Sequence, residues 1–254
     1  MTQPFLGPDA RDAYPSKVWP GLHYRLAGDC LLAEAPALLD CLSNAVYRGG
    51  RVPASRFVNR MVHKDYAGLD PEEDIRRLLA AEGLAAEQAV GLLTAAVIRR
   101  ASLLEEAGDR FRLSVCTTSG TRNAARAGYP RETYPAYSAG TINTIVLVDG
   151  GMSDAAMVNA LLTAAEAKAA ALQDAGILDP VSGRPATGTT TDAIVLAVSQ
   201  AAPEEAIHLY AGTATSLGDA IGRLVYRTIL ETIESDRAPV SESDSLPSYD
   251  HLQR

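Results

Sequence analysis

Four polar, glycine-containing segments carry most of the residues that can do chemistry. They are Thr118-Ser119-Gly120-Thr121-Arg122-Asn123, with Arg126 and Gly128 directly after it, Gly140-Thr141-Ile142-Asn143, Ala186-Thr187-Gly188-Thr189-Thr190-Thr191-Asp192, and Gly212-Thr213-Ala214-Thr215-Ser216. Turns are built from the same residue types. Their hydroxyl and amide density, repeated four times between apolar elements, points further, to a ligand that needs many neutral donors and acceptors. The third segment lacks a lysine and leads into a strand, so it is no phosphate loop, and Gly120 with Gly128 does not complete a dinucleotide fingerprint.

A second constellation lies in the long apolar stretch around Glu166-Ala167-Lys168. At about 100° per residue, Glu166 shares a helix face with Asn159 and Thr163, whereas Lys168 falls about 20° from Leu161 and close to Ala164 and Leu172. A snorkelling lysine and a solvated glutamate would give this pattern. Burial of the helix on most sides would instead turn Asn159, Thr163 and Glu166 toward a pocket. The sequence has neither a Ser-x-x-Lys nor a Gly-x-Ser-x-Gly nucleophile motif. The balance favours water activated by a carboxylate, with threonine or serine as the other candidate nucleophiles. His23, His63, His208 and His251 show no metal-ligand spacing, and no metal site is expected.

The elements that must hold these residues are legible in part. His23–Ala27 and Leu31–Ala35 flank Gly28-Asp29 and predict a β-hairpin. Pro71–Glu82 predicts a helix capped by Asp70, and 86–101 predicts a helix or a buried mixed segment, with Gly91 unfavourable to the helix. Strands are expected at Phe111–Thr117, Thr144–Val148 and Ala193–Val198. A helix is expected over Asp154–Ala175 between Ser153 and Gly176, and a last one over Leu217–Ile233 behind a capping box Ser216-x-x-Asp219. This order predicts an α+β fold, a single-domain layered sandwich with a mixed β-sheet packed by helices. Residues 1–20, with four prolines, predict an irregular N-terminal arm pinned by Tyr14 and Trp19, residues 21–234 the domain, and residues 235–254 a flexible acidic tail.

Composition narrows the function classes. Of 254 residues 47% are hydrophobic and 21% charged, and the net charge is -8. Without a basic face, neither nucleic acid nor an anionic membrane is an expected partner. No run approaches the roughly 20 apolar residues of a membrane span, and the first 21 residues lack the pattern of a signal peptide. Cys30, Cys41 and Cys116 predict buried, reduced thiols in a cytoplasmic protein. A homodimer is the default assembly.

Read in order, GLLTAA, TTSGTRNAARAG, GTIN, ALLTAAEAKAAAL, ATGTTTDAIVLA and YAGTATSLGDAIG resemble the adenosylcobinamide amidohydrolases. The upstream Leu42-Ser43-Asn44-Ala45, Gly49-Gly50, Val58-Asn59, Val62, Tyr66 and Asp70-Pro71 extend the resemblance over about residues 21–233. It implies cleavage of the aminopropanol amide of adenosylcobinamide to adenosylcobyric acid in corrinoid salvage, with the cobalt belonging to the substrate and no further cofactor. On that basis Glu166 and Asp192 are expected to activate water, and Lys168 with the backbone near Gly188 and Thr189 to stabilise the oxyanion. Ser43, Asn44, Asn59, Asn123, Arg126, Thr141, Asn143 and Thr187 are expected to hold the corrinoid. Thr190 where the family pattern has glycine, Tyr129, and the insertion from Arg131 to Ala139 with Tyr134 and Tyr137 depart from the resemblance. They keep two alternatives open: a diverged amidohydrolase acting on a siderophore or secondary-metabolite amide, and a non-catalytic corrinoid-binding protein. If the strands after the second and third segments are parallel neighbours, both segments should open on one cleft together with 122–126 and Glu166.

Overall fold

The computed structural model describes residues 2–64, 66, 70–131 and 141–237. Tyr134, Tyr137, Gly140 and residues 238–254 lie outside the described residues. The chain order is β1 (Ala13–Pro15), β2 (His23–Ala27), β3 (Cys30–Ser43), β4 (Gly50–Met61), α1 (Pro71–Ala81), β5 (Ala89–Thr94), β6 (Ser102–Gly108), β7 (Phe111–Ser119) and β8 (Ala124–Ala125). There follow β9 (Ile142–Asp149), β10 (Gly151–Met152), α2 (Asp154–Asp174), β11 (Gly188–Thr189), β12 (Ala193–Val198), β13 (Ile207–His208) and α3 (Ser216–Arg237). Nine strands form one mixed sheet, β1-β2-β3-β12-β9-β7-β6, with β4 added on β3 and β5 on β4. Two-residue pairs β8–β11 and β10–β13 lie apart from it.

The long β3–β4 hairpin makes this sheet double back. Its first half pairs with β2 and its second half with β12, with a register shift between Glu34 and Leu39. Bulges bend strands, and here the bend brings Phe57, Val90 and Leu92 into one core with Cys116, Ile145, Leu147 and Val195. The opposite faces of the same strands, Leu113, Val115, Val146, Val148, Leu196 and Val198, pack under α2 and α3. Strands β9 and β12 are thus buried on both sides, which is why they read as continuous apolar runs. Helix α1 covers the other outer face through Ile75 and Leu79 against Leu32 and Val58.

Local chemistry explains most boundaries. Gly28, at φ +57°, makes the two-residue turn of the first hairpin. Asp70 accepts from Glu73 N at 2.9 Å and Ser153 from Ala156 N at 3.1 Å, each capping its helix. The cap of α3 is Thr215, which accepts from Gly218 N at 3.0 Å; the expected cap shifts by one residue, and with Gly218 at the third position no reciprocal box forms. Within 86–101 the structure has the mixed segment and not the helix: strand β5 lies between single 3-10 turns at Ala86–Gln88 and Ile98–Arg100. Gly91 permits it, because a Cβ there would sit 2.7 Å from Ile75 and 3.1 Å from Tyr47, where α1 crosses β5. The N-terminal arm is more ordered than expected: β1 pairs with β2, and Phe5 and Trp19 are buried. Among the described residues, only α2 has the length and mean hydropathy of a membrane span. It instead buries Ala156, Met157, Ala160, Ala164, Ala171 and Leu172 in the core.

Candidate active site

Strands β9 and β12 are parallel neighbours, with Asn143 opposite Ala193. The antiparallel partners β7 and β3 end at the same edge, placing Thr118 beside Asn143 and Ser43 beside Val195. This geometry delivers the ends of four strands to one place. A cleft of about 360 Å³ opens there, lined by the polar Asn44, Thr141, Asn143, Thr190, Thr191 and Asp192 together with Val62, Tyr66, Pro71, Leu93 and Thr94.

The floor of the cleft is a chain of buried amides. Asn143, 2% exposed, donates to Leu93 O at 2.9 Å and to Asn59 Oδ1 at 2.8 Å; Asn59, 1% exposed, donates to Thr118 Oγ1 at 2.8 Å. Thr141 donates its one hydroxyl proton to Thr191 O at 2.7 Å, and Asn143 Oδ1 lies 3.2 Å from that hydroxyl oxygen. Satisfied networks of this kind hold side chains in single orientations. Asn44 spans the end of β12, donating to Asp192 O and accepting from Ile194 N, both at 2.8 Å.

Asp192 stands between this cleft and α2. Its Oδ1 accepts from Ile142 N at 3.1 Å and from the Thr189 hydroxyl; its Oδ2 accepts from Thr189 N at 2.9 Å and from Lys168 Nζ. The Asp192 and Lys168 side chains are only 9% and 13% exposed. Gly188 packs directly over them, since a Cβ would stand 2.4 Å from Asp192 Oδ2 and 3.0 Å from Lys168 Nζ. Tyr66, also in the cleft lining, donates to Asp74. Burial, then that hydrogen bond and charge, hold the Tyr66 phenol well above its ordinary pKa, so it remains a proton donor.

The expected residues separate into groups. Asn44, Thr141, Asn143 and Asp192 line the cleft, while Asn59 lies beneath it. Lys168, Gly188 and Thr189 surround the Asp192 carboxylate. Ser43 is buried behind Asn44, accepting from Ala45 N at 3.4 Å. Asn123 positions the third segment by donating to Thr190 Oγ1 at 2.7 Å, and Thr187 accepts from Ala127 N at 2.9 Å. Arg126 faces away from the cleft, donating to Pro185 O at 2.7 Å. Its backbone N–H also helps to hold Asp179. Burial raises that carboxyl's pKa, but Val181 N, Ser182, Arg131 and Arg126 N outweigh it and hold the pKa down at about 2.

Glu166 is not brought to this cleft. Lys168 and Glu166 are about 200° apart around a helix, so a turn that aims Lys168 at Asp192 aims Glu166 away. Glu166 is exposed. Asn159 and Thr163, on its face, bond Ala211 N at 3.1 Å and Ala211 O at 2.8 Å, not a ligand pocket. Thr94, 2% exposed, also lines the cleft, from within an apolar strand where spacing gives no signal of it. Among the described residues, no three His, Cys, Asp or Glu side chains gather as metal ligands.

Comparison with known proteins places this geometry. The family model for adenosylcobinamide amidohydrolase matches residues 21–239. The adenosylcobinamide amidohydrolase of Methanosarcina mazei is 29% identical over 192 residues, covering 73% of this chain and 86% of the relative. That of Halobacterium salinarum is 29% identical over 210 residues, covering 81% and 84%. A Burkholderia sp. β-aminopeptidase structure aligns over 87% of this chain and 86% of its own, at 11% identity and a TM-score of 0.41. The match along 21–239 spans every strand and loop that builds the cleft, and the chain belongs to the adenosylcobinamide amidohydrolase family, hydrolases acting on an amide C–N bond.

Proposed function

We propose that this protein is a cytoplasmic enzyme that hydrolyses the aminopropanol amide of adenosylcobinamide, releasing the amine and adenosylcobyric acid for corrinoid salvage. The observation that carries it is the cleft, in which neutral amides and hydroxyls from four strand ends meet one carboxylate–ammonium pair. A corrinoid presents many side-chain amides around a macrocycle. Asn44, Thr141, Asn143 and Thr94 offer complementary neutral groups. The macrocycle exceeds a cavity of about 360 Å³, so the cleft takes the scissile arm and the ring stays at its mouth.

Amide hydrolysis needs a nucleophile, charge stabilisation for the tetrahedral intermediate and a proton for the leaving amine. Asp192 is the proton-handling group of the cleft, and Lys168 supplies positive charge against it. Tyr66 also lines the cleft; its one proton goes to Asp74, so its hydroxyl oxygen is left to accept from the arm. Incubation with adenosylcobinamide followed by mass spectrometry tests the assignment, with loss of aminopropanol as the expected result. Thr190, a threonine in the cleft wall where the family pattern has glycine, favours a second substrate class, another metabolite amide. No acid product from adenosylcobinamide, with turnover of such an amide, would select that class. Tight corrinoid binding without any turnover would make the protein a carrier.

A further inference from the structure

The bonds around Asp192 select among the nucleophiles. A carboxylate has about four lone-pair directions. Asp192 uses them on Ile142 N, Thr189 N, Lys168 Nζ and the Thr189 hydroxyl. A water activated by Asp192 would have to displace one of these donors, all of them held by the fold. A base removes the proton from the group already bonded to it. Two of the four are backbone amides, which are poor acids, and one is an ammonium, whose nitrogen has no lone pair to attack with. The fourth is a hydroxyl, which can give up its proton and form a bond in the same step.

We propose that Thr189 is the nucleophile of this enzyme, with Asp192 as its base and Lys168 as the positioning residue that fixes Asp192. The inference rests on the amidohydrolase function argued above. The Thr189 Oγ–H proton passes to Asp192 as Oγ bonds to the amide carbonyl carbon. The C–N bond then breaks, the proton on Asp192 goes to the amine nitrogen, and the acyl group remains as an ester on Thr189. Water attacks that ester, giving one proton to Asp192. The Oγ–C bond breaks, Thr189 regains its proton, and the free acid leaves. The sum is amide plus water to acid plus amine. Gly188 belongs to this arrangement because any side chain there would collide with the Asp192 and Lys168 groups.

The test uses the full chain. Thr189→Ala and Thr189→Val should lower turnover of adenosylcobinamide by about a thousandfold or more in protein that still unfolds cooperatively above the assay temperature. Thr189→Ser should retain at least about a tenth of it. Acid quenching during turnover should give wild-type protein heavier by the corrinoid acyl group, mapped to the peptide containing Thr189. Thr189→Ala with more than about a tenth of wild-type turnover, or an adduct on another residue, overturns the proposal. If wild type leaves adenosylcobinamide intact, the substrate assignment fails. A β-lactone probe then decides the nucleophile alone: labelling at Thr189 that Thr189→Ala abolishes supports it, and its absence overturns it. A Thr189 variant that is inactive only because it is unfolded has its midpoint below the assay temperature, and the Ser variant together with the wild-type probe mapping then decides.

Discussion

Replacing Lys168 with methionine isolates the electrostatics beneath the cleft. Methionine is close to lysine in length and suits the apolar stripe between Ala164 and Leu172. The change leaves the Asp192 carboxylate, 9% exposed, without its cation. Breaking a buried pair by removing one partner costs about 3–5 kcal/mol. Asp192 keeps three donors in Ile142 N, Thr189 N and the Thr189 hydroxyl, so the low end of the range, about 3 kcal/mol, is expected. For a chain of this size that is roughly 6–12 °C in unfolding midpoint. The double variant Lys168→Met/Asp192→Asn removes both charges and should recover about 2 kcal/mol of the loss as a coupling term. Urea titrations of the four proteins of the cycle measure it. A Lys168→Met cost below about 0.5 kcal/mol would mean a solvent-screened contact, and the role given to Lys168 in fixing Asp192 would be wrong.

Helix α3 provides an internal contrast between two glycines. A Cβ at Gly218 would meet Gly212 O at 2.1 Å and Ala211 O at 2.4 Å, both backbone, so Gly218→Ala should lose about 2–3 kcal/mol in urea unfolding. At Gly222 the nearest atom is Thr163 Cγ2 at 3.6 Å, and Gly222→Ala should gain up to about 1 kcal/mol from helix propensity; equal effects would refute the packing assignment. Burial pushes the Cys41 and Cys116 thiols up to about 12 and raises Cys30 as well. Alkylation at pH 8 should therefore reach the three cysteines only after denaturation, as counted by mass. Asp179 has a folded pKa of about 2, below its ordinary value of about 3.9. Its contribution is therefore complete above about pH 4 and is lost as pH falls through about 2, and Asp179→Asn should flatten that part of the stability profile.

The parts of this fold legible in the sequence are those where one local rule dominates. Ser153 and Asp70 cap helices by accepting from the backbone N–H three residues on, and β12 begins and ends where its apolar run does. At α3, two hydroxyl residues stand side by side at the N-terminus, Thr215 and Ser216, and tertiary placement of Ala211–Gly212 decides between them. For β5 the run Ala89-Val90-Gly91-Leu92-Leu93 satisfies a helix or a buried strand equally, and the close crossing of α1 at Gly91 settles it. Strand β3 runs to Ser43, well past the expected Leu31–Ala35, because a register shift lets it pair first with β2 and then with β12, a long-range property that no window of sequence contains.

Helix phase carries the same lesson into the site. Periodicity put Lys168 on the apolar stripe of α2 and Glu166 almost opposite. Two carboxylates as acid and base would have required Glu166 to face the pocket. The stripe itself decides against that: Ala164, Ala171 and Leu172 are buried toward the sheet, and the residue lying between them in angle is Lys168. An ammonium carried into that interface needs a carboxylate there, because an unpaired buried charge is far costlier than a paired one. The third polar segment ends in Asp192 at the mouth of β12, on the strand that α2 covers. The partner of Lys168 was therefore implicit in two facts of the sequence taken together, a cation at the apolar phase of a helix and an anion at the entrance of a doubly buried strand. Glu166, set at the opposite phase, is left to solvent.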